Sequence, residues 1–332
     1  MRSLRNQTVV VTGASSGMGL ACALAFAREG CSLVLAARRE EVLKAAAHRC
    51  RAEGAPAAIA IPADVTDPIQ MNALAEAVRE RFGGIDVWVN MAGLSLWGAF
   101  EEAPMEAQAR LVQVNLIGVM NGCHAAVPHM LRRGPKGRQG VVINMSSVGG
   151  RVPMPFAAAY TASKFGVAGF TEALRDELAS RSSIQVCGVY PGFVDTPTNL
   201  HSANYTGRTL RPVPPVLEPE RVAEGILSLA RYPRRALHLG AQNALAVPYA
   251  IAPEATGRMA GPAWKRFLTQ SGTPAPQSDG TLFEPVEEGT GTRGNWRPDP
   301  ATVTSLTASV ALLAALPIGL LALAVGMSGR RL

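Results

Sequence analysis

The chain has 332 residues, 48% of them hydrophobic, and a formal net charge of +7, which is enough for one sizeable enzyme domain plus an appendage. The basic residues are dispersed with few aromatics beside them, which argues against a nucleic-acid partner and for a solvated surface, or contact with anionic lipid. The five cysteines, Cys22, Cys31, Cys50, Cys123 and Cys187, contain no Cys-x-x-Cys pair, so they read as reduced, buried small residues rather than a disulfide framework. His48, His124, His129, His201 and His238 are scattered, and no metal site is expected.

The first element is the apolar, β-branched run at 8–12, which passes into Thr12-Gly13-Ala14-Ser15-Ser16-Gly17-Met18-Gly19 and then an alanine-rich segment to Arg28. This reads as a buried strand, a tight turn and a helix start, where glycine lets the backbone approach a ligand and free N–H groups attract a pyrophosphate. Further strands are predicted at 32–36, 57–62, 87–90, 140–145, 184–190 and 236–239. Helical segments alternate with them, and this implies an α/β fold: a doubly wound, Rossmann-type parallel sheet of about seven strands with helices on both faces. The second strand ends on Ala37-Arg38-Arg39. A carboxylate at that point would accept from the ribose hydroxyls of NAD, whereas a guanidinium binds a 2′-phosphate bidentately, so NADP(H) is expected with Arg38 as the main contact.

Tyr160 and Lys164 lie one helical turn apart in Tyr160-Thr161-Ala162-Ser163-Lys164. A phenol has an unperturbed pKa of about 10, so acting as a base near neutrality needs a shift of roughly 3 units, or about 4 kcal/mol. An ammonium at i+4 on the same helix face is placed to contribute to that. Upstream, Asn144-Met145-Ser146-Ser147 offers two adjacent hydroxyls. Only one of the pair can face a substrate from a strand end, and the spacing to Tyr160 favours Ser147.

In order, these motifs resemble the short-chain dehydrogenase/reductase family over roughly 4–240. The resemblance assigns Thr12, Gly13, Ser15, Ser16, Gly17, Met18 and Gly19 to the cofactor turn, and Asp64 and Val65 to the adenine. Asn90-Met91-Ala92-Gly93 is similar to the family's Asn-Asn-Ala-Gly, with a methionine in the second position; Asn90, Ala92 and Gly93 are carried over as cofactor residues, and Met91 puts one local hydrogen bond in doubt. Asn115, Ser147, Tyr160 and Lys164 match the family's catalytic asparagine, serine, tyrosine and lysine. Tyr160 and Lys164 are also expected at the cofactor, where the lysine would bond the nicotinamide ribose. Pro191, Gly192, Val194 and Thr196 match the segment that holds the nicotinamide. The resemblance implies hydride exchange between the nicotinamide and a carbonyl or alcohol, with Tyr160 moving the proton. Many members form dimers or tetramers, so a homo-oligomer is an expectation by resemblance alone. A competing expectation is an NADP(H)-binding scaffold or redox sensor at the membrane that turns nothing over.

The catalytic domain is placed at 1–245. The segment 195–219, rich in proline and threonine, is the expected substrate lid. The extension 246–269, with Trp264-Lys265-Arg266-Phe267, either dips into a lipid interface or closes the substrate pocket. Residues 270–303, rich in glycine, proline and threonine, read as a flexible linker. No charged residue occurs from 301 to 328, and an apolar helix at 304–327 is expected to cross the lipid bilayer, since the 21 residues of its apolar stretch 306–326 span about 31 Å. A five-residue tail, 328–332, follows. No apolar leader is read before Thr8, so a cytoplasmic catalytic domain is expected, and the anchor leads to the expectation of a lipophilic carbonyl or alcohol substrate. Leu94, Leu96, Trp97, Val152, Met154, Pro155 and Phe156 are candidate pocket walls.

Overall fold

The first strand, Thr8–Thr12, is buried along its whole length, as a central strand of a parallel sheet must be when helices cover both faces. The computed structural model describes residues 3–132, 140–180, 183–270 and 272–296. In chain order the strands are β1 (Thr8–Thr12), β2 (Ser32–Ala37), β3 (Ala58–Pro62), β4 (Val87–Asn90), β5 (Leu96–Trp97), β6 (Val141–Met145), β7 (Gln185–Pro191), β8 (Ala203–Asn204) and β9 (Ala236–Leu239). The helices are α1 (Gly17–Arg28), α2 (Glu40–Ala52), α3 (Pro68–Phe82), α4 (Met105–Val112), α5 (Gly118–Leu131), α6 (Ala158–Ala179), α7 (Thr198–His201), α8 (Pro219–Arg231), α9 (Ala246–Ile251) and α10 (Pro253–Gln270).

Seven strands form one parallel sheet in the order β3-β2-β1-β4-β6-β7-β9, matching the expected doubly wound fold. Alternation along each strand sends successive side chains to opposite faces. Val9, Val11, Leu33 and Leu35 therefore pack with α1, α2 and α8. Val10, Val34, Trp88 and Val142 pack with α3, α5 and α6 on the other side. The strand order reverses beside β1, between β1 and β4, and ligands of such sheets sit in the crevice at that switch point.

Two expectations change at the C-terminal side. The segment 272–296 is no free linker. Leu282 is fully buried beside Leu111, Ala203 and Tyr205, a burial worth about 2 kcal/mol. Ser278 and Asn204 exchange backbone hydrogen bonds, and the Tyr205 hydroxyl donates to Asp279. The composition misled because polar and glycine-rich chain can satisfy its backbone against a protein surface as well as against water. In the extension, Trp264 is buried against Trp97, Met154 and Phe193, its ring centred 5.7 Å from that of Phe193, so it closes the catalytic end of the fold instead of entering lipid. The expected membrane helix at 304–327 lies outside the described residues; among the described residues no helix is long and apolar enough to cross a membrane.

Candidate active site

The candidate catalytic side chains come from the end of β6, from α6 and from a π-helical turn, Gln113–Ile117, that joins α4 to α5. The extra residue in a π turn bulges the helix and re-aims side chains at its apex. Here it turns Asn115 inward, where it is fully buried. Its Oδ1 accepts from Leu94 N at 2.8 Å, and its Nδ2 donates to Leu94 O at 2.9 Å and to Ser163 Oγ at 3.1 Å. Ser163 in turn donates to Tyr160 O at 2.7 Å. Asn115 thus ties the Gly93-Leu94 loop to the helix carrying Tyr160.

The two serines are resolved by their partners. Ser146 Oγ donates to Lys164 O at 2.9 Å, which makes it a brace for α6. Ser147 Oγ accepts from Gly149 N at 3.1 Å and faces the same cavity as Tyr160, whose phenol pKa it works to lower. Tyr160 stacks near Trp97, with ring centroids 6.3 Å apart. Lys164, on the same face of α6, holds its Nζ 5.8 Å from the Tyr160 ring centroid and donates to Met145 O at 3.1 Å. Burial pushes the Lys164 ammonium down to about 8, because a charge removed from water is destabilised.

One electrostatic expectation is reversed. Burial pushes the Tyr160 phenol above its ordinary range, and the Ser147 hydroxyl works against that rise. The Lys164 ammonium faces the ring and its hydrogen bond goes to a main-chain carbonyl. The positive charge of an oxidised nicotinamide beside the pair would pull the phenol downward.

The second half of the cleft lies over the glycine turn. Gly13 has φ +66°, and a Cβ there would stand 2.8 Å from Ala92 Cα, so the turn can approach the β4 loop only without a side chain. Thr12 belongs to the scaffold: its Oγ1 donates to Val89 O and accepts from Met91 N and Ala92 N. Those two bonds hold the loop through its backbone, so Met91 costs it nothing there. Asn90 is likewise corrected from cofactor contact to buried brace. It accepts from Trp88 Nε1 and donates to Asn144 Oδ1.

Gly13, Ser15, Ser16, Gly17, Met18 and Gly19 line a cavity of about 160 Å³ together with Arg38, Asp64, Val65, Ala92 and Gly93. Burial works to raise the Asp64 carboxyl, but the Thr66 N–H and hydroxyl and the Arg110 guanidinium outweigh it and hold it below the usual range. Arg110 Nη2 lies 2.8 Å from Asp64 Oδ2. An adjoining cavity of about 110 Å³ is lined by Ser147, Tyr160, Lys164, Pro191, Gly192, Val194 and Thr196, with Leu94, Trp97, Met154 and Phe193. Leu96, Val152, Pro155 and Phe156 do not line it. Both cavities share Met18, Met91, Gly93, Leu94 and Thr198. A Cβ on Gly93 would come within 3.2 Å of both Asn115 Oδ1 and Lys164 Nζ. Gly93 keeps side-chain bulk off that point of the junction, which fits an extended dinucleotide laid from the turn to Lys164.

Two contributions carry no sequence signal: Arg110, and the wall that the distant Thr281, Pro285 and Val286 give the first cavity. Neither sits in a motif. The donors of Arg38 are also engaged, Nη1 with Phe283 O at 2.8 Å and Nη2 with Thr281 O at 2.6 Å. All five cysteines are free and buried, and no cluster of metal-ligating side chains occurs among the described residues.

Residues 7–205 match the short chain dehydrogenase family. The chain belongs to that family. Among similar proteins, the dehydrogenase is 38% identical over 232 residues, covering 68% of this chain and 87% of the relative, to the 3beta-hydroxysteroid dehydrogenase 1 of Eggerthella lenta. It is 35% identical over 262 residues, covering 78% of this chain and 72% of the relative, to the oxidoreductase YxnA of Bacillus subtilis. A solved alcohol dehydrogenase from the archaeon Thermococcus sibiricus, complexed with 5-hydroxy-NADP, superposes with a TM-score of 0.62 at 26% identity, covering 71% of this chain and 96% of that one. The dehydrogenase is an oxidoreductase of CH–OH and C=O groups that uses a nicotinamide cofactor.

Proposed function

We propose that the protein is an NADP(H)-dependent oxidoreductase that interconverts a carbonyl and an alcohol on a lipophilic substrate, with Tyr160 as general acid/base. The carrying observation is that the Tyr160 phenol and the Lys164 ammonium share one cavity with Ser147 and with apolar groups such as Leu94, Trp97, Met154 and Phe193. When bound, the nicotinamide supplies or accepts the hydride. Tyr160 gives its proton to the developing alkoxide, or takes one from the alcohol, and Ser147 donates a hydrogen bond to the same oxygen. Lys164 bonds the nicotinamide ribose and holds positive charge beside the phenol. The apolar walls exclude water and favour a substrate such as a steroid, retinoid, fatty aldehyde or 3-oxoacyl chain; the steroid dehydrogenase among the relatives supports that class.

The absence of an acidic residue at Ala37 and the presence of Arg38 beside Ser15 and Ser16 support NADP(H) over NAD(H). The uncharged stretch at 304–327 supports a C-terminal membrane anchor with the catalytic domain on the cytoplasmic side. Cell fractionation and protease protection of the C-terminus test that part, and full-length protein in the soluble fraction would end it.

The chemistry is tested by following NADPH oxidation over a panel of apolar ketones and aldehydes. Turnover well above that of Tyr160→Phe is expected. Tight NADPH binding with no turnover above that variant would replace the enzyme with a cofactor-binding scaffold or redox sensor.

A further inference from the structure

We propose that the segment 281–296 is an internal competitor for the phosphate-binding end of the dinucleotide cleft and must lift before a dinucleotide can seat. The inference rests on the nicotinamide-dinucleotide reading of that cleft. A dinucleotide needs three kinds of donor there: guanidinium N–H groups, the hydroxyls of the glycine turn, and the free N–H groups at the start of α1. The segment has taken guanidinium donors and one of those helix N–H groups, while the turn hydroxyls accept from Arg39. Thr281 O and Phe283 O accept from Arg38. Val286 O and Glu288 O accept from Arg39 Nη1 at 2.9 and 3.1 Å, while Arg39 Nη2 donates to Ser15 Oγ and Ser16 Oγ. Gly291 O accepts from Gly17 N, at the first residue of α1, at 2.8 Å. Ser16 supplies no side-chain cap to that helix, so the carbonyl of Gly291 serves as the cap.

The far end is latched to the nicotinamide side. Gly294 N and Trp296 N donate to Asp195 Oδ1 at 3.1 and 2.8 Å, and Trp296 Nε1 donates to Thr196 O at 2.9 Å. A phosphate group and a row of main-chain carbonyls make the same demand on the same donors, and one N–H cannot serve both fully. The carbonyls are neutral, so the anion gains more from each donor once it arrives. Closed segment and bound dinucleotide are then two states of one equilibrium, and the apparent dissociation constant is the intrinsic one divided by the open fraction.

Two glycines of the segment permit a test that leaves the catalytic and cofactor residues untouched. Gly289 has φ +69°, and a Cβ there would stand 2.6 Å from His201 Nε2; a Cβ on Gly294 would stand 2.3 Å from Thr196 O. The double variant Gly289→Ala, Gly294→Ala should therefore spring the segment from its seat. NADPH binding is followed by stopped-flow fluorescence on the full chain, with amide hydrogen exchange over 286–296 read in parallel. In the wild type the observed binding rate should level off at high NADPH, and in the double variant its ceiling should rise and the dissociation constant fall about tenfold. Amides of 286–296 should be protected in the free wild type and lose protection when NADPH is added. A rate that climbs linearly in both proteins, weaker binding in the variant, or added protection on binding would overturn the proposal and make the segment a fixed roof of the site. Failure of both proteins to bind NADPH would overturn the cofactor reading itself, whereas gated binding without turnover would leave this inference standing and remove only the Tyr160 chemistry.

Discussion

The two ends of the cleft are built by opposite means. At the catalytic end, Ser147, Tyr160, Lys164 and Asn115 project from the ends of β6, α6 and the π turn, and their partners are other side chains and carbonyls of the same sheet and helices. At the phosphate end, the turn and the two arginines are completed by chain more than two hundred residues away. One end is prepared by local geometry, and the other by a long-range docking that a ligand can contest. Short-range scaffolding makes a site rigid because each side chain is over-determined by elements already fixed in the core. A docked segment held mainly by hydrogen bonds sits at the low-stability side of the fold and can open without unfolding it.

This contrast can be broken most forcefully at Tyr160. Tyr160→Phe keeps the ring and its contact with Trp97, so kcat should fall on the order of 10³-fold while NADPH affinity and the melting temperature stay close to wild type. Steady-state kinetics beside calorimetry would check it, and an activity loss under tenfold would remove the phenol from the mechanism. Next in size is Asn115→Ala, which leaves Leu94 N and Leu94 O without their partner in a buried setting. A loss of about 2–3 kcal/mol in urea unfolding is expected, and a neutral result would mean that the π turn does not depend on that amide.

Arg38→Ala sharpens the other end. The KM for NADPH should rise about tenfold with that for NADH unchanged, as for loss of a charge-assisted phosphate contact. A clear NADH preference unaffected by the change would assign Arg38 to the 281–296 segment alone.

The smallest expected effect concerns Lys164. Burial pushes its pKa down to about 8 from the ordinary lysine value of 10.5, so between those values the unfolded chain holds more protons than the folded one. Stability contributed through this group therefore rises with pH from about 8 toward 10, and at neutral pH the buried charge is a cost. Lys164→Met should gain about 1–2 kcal/mol at pH 7, after allowing for the bond lost to Met145 O. That gain should shrink as unfolding is repeated up to pH 10, and a variant no more stable than wild type at pH 7 would show that the charge is better solvated than its burial implies.

Much of this molecule is written locally. The strand at 8–12 is a run of valines between threonines, and only a sheet covered on both faces accommodates it. Tyr160 and Lys164 are one turn apart, so any helix there brings them to one face. The resemblance pointed to Ser147 over Ser146, and in the structure Ser146 is occupied with Lys164 O. Thr12 and Asn90 were misplaced because a motif states which residues stand beside a site and not which way each side chain turns. In the structure both turn into the sheet to hold loops together.

The amino-acid order alone determined the layers and the strand sequence, because periodicity and short spacings act within one or two turns of the chain, and its motifs named Asn115, Ser147, Tyr160 and Lys164 as candidates. Tertiary structure alone decided what became of 272–296, why the phenol sits high and not low, and which carbonyls hold Arg38 and Arg39. Each of these depends on burial and on hydrogen bonds between residues far apart in the chain. A segment with glycine, proline and acidic residues carries no local mark that distinguishes a free tether from a strap seated on a cleft; the difference lies in the donors waiting on the surface it meets.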